Sequence, residues 1–328
     1  MAQPALQFFR RRGLTAKAES TEGTDSVPTV ADNGMIIMDG SMSTETDIYE
    51  RAVDKTFLGH DPFVTGNKRA TVQGTIDLVP PATPGQASTS SSHVEALLLP
   101  CAHAVVKSSG GKTTTYNPIS NSIPSASIYW YHADTLIKIL GSRGVLSGLM
   151  MEIGQAARAT VAMTGRYSAV EEVSLPTITV PTINPVPLRY TNSVATITSP
   201  VGGSPLTVWA KMLSVDTGLE VGTTEYTSEM FTRHRDRRAT FTMRIARTDL
   251  DDFNPWAVRD ANTVIRLTMR VYEDEDPGLY TELSVRGQIE GVQDVDIDGD
   301  RGIEITGRCI PSSSGNDEYY LQFGDNTP

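Results

Sequence analysis

Strict alternation of apolar and polar residues is the feature that most constrains the fold of this chain. It is clearest in one segment, whose alternating members are Ile265, Arg266, Leu267, Thr268, Met269, Arg270 and Val271. A period of two is typical of a β-strand with one buried face and one polar face. Residues 69–76 and 126–131 are also rich in β-branched and aromatic side chains. The pattern predicts a mostly β protein.

Helix signals are few and short. Ser92–Glu95 matches a capping box, in which the first side chain caps the helix and the last accepts a hydrogen bond from the backbone N–H of the first residue. The apolar run that follows meets Pro100, which lacks the backbone N–H that a helix interior needs. Thr248–Asp251 resembles a second start signal ahead of Phe253. We therefore predict about one short α-helix in each half.

Four short segments recur in the same order in both halves. The matched pairs are Lys68–Thr71 with Arg237–Thr240, Pro100–Ala102 with Pro255–Ala257, Arg143-Gly144 with Arg286-Gly287, and Thr164–Arg166 with Thr306–Arg308. The offset shrinks from 169 at Arg69 to 142 at Gly165, so the first half carries extra residues. Two segments of low apolar content, 79–91 and 107–124, can hold them as loop insertions. The collinear matches predict an internal duplication of one module.

Prolines divide the two halves at residues 176–187 and hold the backbone extended, as in a stiff connector or an edge strand. The predicted organisation is an N-terminal arm at 1–14, a first domain at 15–175, the linker at 176–187, a second domain at 188–310 and a C-terminal tail at 311–328. Each domain is expected to be a β-sandwich or half-barrel with about one short helix. The tail holds large apolar side chains that are expected to dock on another surface.

The charge of the chain argues against a grip on nucleic acid. The 28 Lys and Arg residues oppose 39 Asp and Glu residues, for a formal charge of −11 over 328 residues. Binding to phosphates needs clustered cations that displace counterions. Cys101 and Cys309 are too few for a disulfide framework. No apolar run of about 18 residues predicts a membrane span, and Phe8-Phe9 before Arg10–Arg12 is the reverse of a signal peptide.

The acidic series Asp294–Asp300 resembles the start of a calcium-binding EF-hand loop. Such a loop needs a bidentate Glu at its twelfth position, which here is Ile305, with Glu304 one residue short. The preferred alternative is a β-hairpin with an Asp298-Gly299 turn. The histidines and cysteines lack metal-binding spacing, and no nucleophile motif is present. We therefore expect no metal, no cofactor and no enzymatic activity.

Residues 233–238 form the most basic segment. Its arginines are Arg233, Arg235, Arg237 and Arg238, and it contains no aromatic residue, which disfavours a nucleic-acid site. The preferred interpretation is a strand-entry loop whose arginines pair with acids of a neighbouring subunit. Acidic blocks at 273–276 and 294–300 offer such partners. Opposite charges in separate blocks suit head-to-tail self-association.

Segments in both halves resemble one protein family. They are Ala18–Thr29, Asp47–Arg51, Phe57–Gly59, Lys68–Leu78, Gly141–Gly144, Thr164–Tyr167 and Gly218–Tyr226. In order and pattern they are similar to the major tail tube proteins of bacteriophages with long, non-contractile tails. The resemblance covers most of the chain.

The resemblance implies a structural virion protein built from two tandem tail-tube-like domains. The inner sheets of such domains join into a continuous barrel, and six-fold rings stack around a lumen through which DNA passes during ejection. With two domains per chain, three chains would complete a disc with pseudo-six-fold symmetry. The partners would be further copies, other tail proteins at the tube ends, and DNA that passes without specific binding. The location would be the virion tail, after assembly in the bacterial cytoplasm.

The resemblance also implies roles for individual residues. A loop at 53–68 would contact the adjacent ring through Phe57, Leu58, His60, Pro62 and Phe63, aided by the N-terminal arm and the C-terminal tail. A lumen of net negative charge would repel DNA phosphates and let the duplex slide. Candidates for lumen-facing acids are Glu282, Glu290, Asp294, Asp296 and Asp298.

Other functions stay open on the sequence. A contractile-tail tube protein and a head decoration protein are also self-assembling phage proteins of this kind. A carbohydrate-binding β-sandwich is compatible with the fold class, although the lack of a signal peptide counts against it. Electron microscopy of the concentrated protein separates these classes, since rings or tubes would indicate a tube protein.

Overall fold

The computed structural model describes residues 11–50, 54, 56, 60, 62–80, 94–108, 112–179, 186–227, 229–272 and 278–325. Strands account for 61% of the structure and helices for 5%, which confirms the prediction of a mostly β fold. Among these residues, no helix is long and apolar enough to cross a membrane.

The first half contains nine of the described strands. They are β1 (Arg12–Ala18), β2 (Gly34–Met35), β3 (Met38–Tyr49), β4 (Val64–Asp77), β5 (His103–Lys107), β6 (Thr113–Pro118), β7 (Ala126–His132), β8 (Thr135–Glu152) and β9 (Arg158–Glu172). The helix α1 (Glu95–Leu98) leads into a 3₁₀ helix, Leu99–Cys101. The segment 107–124 was expected to be a loop, but it contains β6, which pairs with β5 as a hairpin.

The second half contains the other ten described strands. They are β10 (Ser193–Thr198), β11 (Pro205–Val208), β12 (Ala210–Asp216), β13 (Leu219–Glu225), β14 (Met230–Arg237), β15 (Thr240–Ala246), β16 (Ile265–Tyr272), β17 (Leu279–Ile297), β18 (Asp300–Cys309) and β19 (Tyr319–Asp325). The helix α2 (Pro255–Asp260) lies between β15 and β16.

Eight strands form a continuous antiparallel layer, here called the inner sheet. Their order is β3-β4-β9-β8-β12-β15-β18-β17. β8 and β17 are long, and their N-terminal parts pair with β7 and β16 in an outer layer, while that part of β8 also pairs with β9. That layer also contains β1, β2, β10, β11 and the run β19-β6-β5. Buried residues of both layers form one core, which includes Leu14, Trp130, Met163 and Phe241.

The same order of strand pairings occurs in both halves. The path β2-β1-β7-β8-β9-β4-β3 in the first half corresponds to β11-β10-β16-β17-β18-β15-β12 in the second. Thr71 faces Thr164 in the first half, and Thr242 faces Thr306 in the second. The two Thr-Gly-Arg segments therefore occupy equivalent places, and this register relates the halves residue by residue.

Two of the other sequence matches are not equivalent in the structure. By the register above, Ala70 corresponds to Phe241, two residues beyond Ala239, its match in sequence. Gly144 pairs with Met163, the residue just before the first Thr-Gly-Arg segment. Gly287 pairs with Cys309, the residue just after the second. A shift of two residues keeps each side chain on its own face of a strand, so alternation alone does not reveal it.

Both predicted short helices are present, and α2 begins later than its sequence signal predicts. The residue before α1 is Val94, whose side chain makes no capping bond, and Ser92 lies outside the described residues. α2 is capped by Asn254, whose side chain accepts a hydrogen bond from Ala257 N. The start predicted at Thr248–Asp251 was wrong, because this segment forms a hydrogen-bonded turn.

Most of the predicted C-terminal tail belongs to the fold. β19 pairs with β17 on one side and with β6 on the other. Tyr319, Leu321 and Phe323 are buried. At the start of β19, the Tyr319 hydroxyl lies 3.1 Å from His103 Nε2, while His103 Nδ1 lies 2.7 Å from Cys101 O. These apolar side chains are engaged within the chain and are not offered to an adjacent ring.

The predicted N-terminal arm and linker are described in part. Residues 1–10 lie outside the described residues, and β1 begins at Arg12 as a strand paired with β7. The described part of the linker, 176–179, lies along the first half, where Thr179 N donates to Val30 O at 2.8 Å. Ile178 packs on a small buried cluster of the outer layer.

Candidate assembly interface

The inner sheet has one apolar face against the core and one polar face. Residues paired across antiparallel strands point to the same side, so the register assigns each side chain to a face. Two equivalent rows of hydroxyl side chains cross the polar face, namely Ser43, Thr71 and Thr164 in the first half and Ser214, Thr242 and Thr306 in the second. The Thr71 and Thr164 hydroxyls are 2.9 Å apart.

Eight charged residues of the polar face form four ion pairs between neighbouring strands. The pairs are Glu45 with Arg69 at 2.7 Å, Asp77 with Arg158 at 3.1 Å, Glu304 with Arg244 at 2.6 Å and Glu290 with Arg308 at 2.6 Å. The hydrogen bond from Arg244 lowers the pKa of Glu304. Because each of these acids has a cation beside it, the four pairs add no net charge to this face.

The structure disperses the five acids that were expected to face a lumen. Glu282 is buried in the outer layer, where Arg270 lies 2.5 Å away and the Tyr320 hydroxyl donates a 2.7 Å hydrogen bond. Burial alone would lower the pKa of Arg270, but the charge of Glu282 raises it above its ordinary value. Glu290 is half-exposed and lies on the polar face beside Arg308. Of these two acids, Glu290 alone is placed to meet a lumen.

Asp298 belongs to the turn between β17 and β18. Asp298 and Gly299 have positive φ angles of 55° and 96°, as two-residue hairpin turns require, which confirms the predicted β-hairpin. The Asp298 carboxylate pairs with Lys211 at 2.7 Å. Among the described residues, no group of three or more His, Cys, Asp or Glu side chains is arranged to hold a metal ion.

Asp294 and Asp296 lie near the same turn, on the core side of the sheet. Asp294 pairs with the buried Ile303, so its side chain points to the core side of the sheet, near the β17–β18 turn where the core ends. Arg301 donates to Asp294 at 2.8 Å and lowers the pKa of that carboxyl. Asp296 accepts a 2.7 Å hydrogen bond from Gly299 N. Neither acid lies on the polar face.

The four arginines expected to meet a neighbouring subunit all make contacts within the chain. They lie on or just after β14, a strand rather than the predicted loop. The contacts are Arg233 with Glu22 at 2.8 Å, Arg235 with Thr223 O at 3.4 Å, Arg237 with Glu318 at 2.7 Å and Arg238 with Asp236 at 2.7 Å. Two of these contacts, those of Arg233 and Arg237, reach other parts of the chain and hold β14 in place.

β13 and β14 form a separate two-stranded hairpin, here called the second arm, which packs on β8 and β9 of the first half. The buried Arg143 guanidinium donates to Thr232 O at 2.7 Å and to Glu22 at 2.6 Å. His234 Nε2 donates to Gly144 O at 2.8 Å, and burial lowers the pKa of this imidazole. The second arm is thus anchored on the first half by buried polar contacts.

The two halves are joined by a strand pairing between β8 and β12. Leu149–Glu152 pairs antiparallel with Met212–Val215. Leu149, Leu213 and Val215 are fully buried there. The junction therefore combines a backbone ladder with a continuous apolar core.

The two end strands of the inner sheet are equivalent to the two strands that form this junction. By the pairing order, β3 corresponds to β12, and the C-terminal part of β17 corresponds to that of β8. In the described part of the chain, β3 pairs with β4 and has no strand on its other edge. Likewise, β17 beyond Gly287 pairs with β18, and the described residues place no strand on its opposite edge. The sheet ends in two open and complementary edges.

The residues expected to contact an adjacent ring fall, in sequence, between β3 and β4. Phe57 and Leu58 lie outside the described residues. His60, Pro62 and Phe63 are exposed, and 55% of the Phe63 surface is accessible. The structure therefore leaves these three side chains free for a partner.

The candidate interface rests on the geometry of the chain alone. No protein-family model matches the chain, and a search of curated proteins finds no match. Sequence reasoning did not single out the edges at 43–46 and 294–297 as candidate pairing surfaces, nor the anchor Arg143. The available signal was the similarity of the two halves, since a join between them suggests an equivalent join at their outer edges.

Proposed function

We propose that the chain is a phage tail tube subunit, which assembles head to tail into rings that stack around a passage for DNA. The observation that carries the proposal is the β8–β12 junction together with the open edges of β3 and β17. Within one chain, the C-terminal part of the long strand β8 pairs with β12, the first strand of the equivalent hairpin in the second half. Two copies can make the same join through equivalent strands, so the interface is already exemplified inside the chain.

The repeat gives the register of the proposed join. Met150 faces Ser214 at the internal junction. Ser43 corresponds to Ser214, because each faces the equivalent threonine on the next strand. Ile297 corresponds to Met150, because their partners on β18 and β9 are related by the same offset as the two Thr-Gly-Arg segments. We therefore expect Ser43 of one copy to face Ile297 of the next.

The two open edges of the chain favour closure into a ring. A head-to-tail contact either closes by rotation or continues as an open filament. Closure pairs both open edges, which would otherwise template uncontrolled association. Each chain carries two equivalent four-stranded units, the product of the proposed duplication. Three chains supply six units, which favours a trimeric ring with pseudo-six-fold symmetry.

The polar face of the inner sheet is the proposed wall of the passage. The two rows of hydroxyl side chains on this face are uncharged, and its four ion pairs carry no excess of positive charge. Release of counterions from DNA, the main source of non-specific affinity, is then small. A wall whose ion pairs add no net charge would let DNA slide, and it would not need the strongly acidic lumen that the net charge of the chain suggested.

The proposal is tested with a pair of cysteines, Ser43→Cys and Ile297→Cys, in one chain. The native Cys101 and Cys309 are buried, so the introduced thiols react first. Oxidation of the concentrated protein should give disulfide-linked species up to a closed trimer, and negative-stain images should show rings or tubes. Ser43→Cys with Val170→Cys, an exposed β9 position, is the control and should stay monomeric. Protein that stays monomeric at high concentration, with no cross-link between the two introduced cysteines, would contradict the proposal.

A further inference from the structure

We infer a second contact between copies, in which the first arm of one chain docks on the β17 corner of the next. The first arm is the distal part of the β3–β4 hairpin, residues 44–49 and 63–69. The β17 corner is the stretch around Val292, where β17 turns from the outer layer into the inner sheet. The inference rests on the head-to-tail join proposed above. It gives the arm a lateral partner, instead of the adjacent ring that the family resemblance implies.

The template for this contact is inside the chain. β8 turns between the layers after Ser142, its last residue facing β7, and meets β12 at Leu149. The edge between these points is covered by the second arm, through His234 on Gly144 O at 2.8 Å and Thr232 O on Arg143 at 2.7 Å. The hairpin of the second half therefore covers the corner of the first half, beside the strand junction.

β17 turns between the layers in the same way, at an equivalent corner. Its pairing with β16 ends at Gly287, and the strand continues in the inner sheet. Val292 corresponds to Gly144, because the residues that they face, Ile305 and Met163, are related by the offset of the two Thr-Gly-Arg segments. Val292 is a partly buried apolar residue that packs on the core. In the described part of the chain, no hairpin arm covers it.

The first arm ends in four exposed apolar side chains, here called the apolar patch, which lie on both faces of the hairpin. The members and their exposed fractions are Ile48 at 60%, Tyr49 at 66%, Phe63 at 55% and Val64 at 65%. Tyr49 and Val64 pair across the hairpin and share one face, whereas Ile48 points to the other. Exposed apolar side chains gathered at one hairpin end are typical of an interaction surface. The second arm, which is already docked, holds its corner mainly through polar contacts.

The register pairs the patch with the corner. The offset that relates Thr71 to Thr242 also relates Phe63 to His234. His234 meets the backbone of Gly144 inside the chain, so Phe63 of one copy would meet the backbone edge of β17 at Val292 of the next. The Val292 side chain itself faces the core. The arm and the corner are counterparts of a contact that the chain already makes internally, which supports a second copy of this chain as the occupant.

A second cysteine pair tests the contact. Phe63→Cys with Gln293→Cys, at the exposed neighbour of Val292, should form a disulfide between copies in assembled rings, and the largest species should match the closed ring given by Ser43→Cys with Ile297→Cys. Phe63→Cys with Val170→Cys is the matched control and should not cross-link. The Phe63→Cys thiol should also lose most of its reactivity toward maleimide when the dissociated chain assembles.

Each outcome separates the contact from the proposed function. Cross-linking of the strand edges without cross-linking or protection at Phe63→Cys would overturn the lateral contact and leave the head-to-tail join intact. Protection of Phe63→Cys only in stacked tubes, with linked species larger than one ring, would place the arm against the adjacent ring and also overturn it. If neither cysteine pair cross-links, the join and the contact both fail.

Discussion

β12 and β3 occupy equivalent places in the two halves but have different surroundings. β12 is a central strand between β8 and β15, whereas β3 is an edge strand with β4 on one side. Residues 212–216 read Met-Leu-Ser-Val-Asp, and the equivalent 41–45 read Ser-Met-Ser-Thr-Glu. The edge strand keeps the pattern of its counterpart with more polar residues. Polar edges limit indiscriminate pairing. The difference is therefore what the proposed pairing of this edge with a second copy would require.

The largest expected effect separates these two strands directly. Leu213→Ala should destabilise the isolated chain by about 2–5 kcal/mol, because it empties a fully buried site at the β8–β12 junction. Met42→Ala, at the equivalent position of β3, should cost less than about 2 kcal/mol, since Met42 is only partly buried. Urea unfolding of the dissociated chain measures both. Equal losses would show that β3 is as fully packed as β12 before assembly.

The second arm gives a smaller effect. Arg143→Ala should cost about 3 kcal/mol, because it removes the buried cation that Glu22 and Thr232 O face. The equivalent position of the second half is Gly291, so this anchor belongs to the first half alone. Arg308→Ala breaks an exposed pair with Glu290 and should cost less than about 1 kcal/mol. A loss at Arg143→Ala no greater than at this control would remove the argument that polar contacts hold the arm.

The outer layer supplies the smallest effect, which depends on pH. Burial lowers the pKa of His103 from 6.5 to about 4, so folding favours the neutral imidazole, whose Nε2 accepts from the Tyr319 hydroxyl. Its contribution to stability is complete above pH 6.5 and is lost as pH falls toward 4, because the unfolded chain takes up the proton first. His103→Gln should lower the melting temperature at neutral pH and reduce the further fall as the pH drops from about 6.5 toward about 4. Parallel pH profiles for the two proteins would exclude His103 as the acid-sensitive contact of β19.

Local patterns in the sequence predicted a useful part of this fold. Alternation predicted the strand that became β16, and the Asp298-Gly299 pair predicted the turn between β17 and β18, because both depend on residues close in sequence. The predicted start of α2 was wrong, since Asn254 rather than Thr248 caps this helix. The two Thr-Gly-Arg segments occupy equivalent places in the two halves, but the other short matches did not fix the register.

The candidate interface depended on contacts that no local pattern contains. The β8–β12 junction joins residues about 60 positions apart, and its partners are ordinary strand residues. Acidic residues were expected to face a lumen because of the net charge, but Glu282 pairs with Arg270 inside the outer layer. Charge counts report the sum over the chain and not the face on which each carboxylate lies. The register of the repeat was needed to assign the faces.

Electron cryomicroscopy of the assembled particle tests the central claim most directly. The map should show β3 of one copy paired with β17 of the next, in a continuous inner barrel that three chains close. Ser43 should lie opposite Ile297, as Ser214 lies opposite Met150 inside the chain. A ring of six chains would contradict the trimeric closure. A particle in which the β3 and β17 edges remain unpaired would contradict the account as a whole.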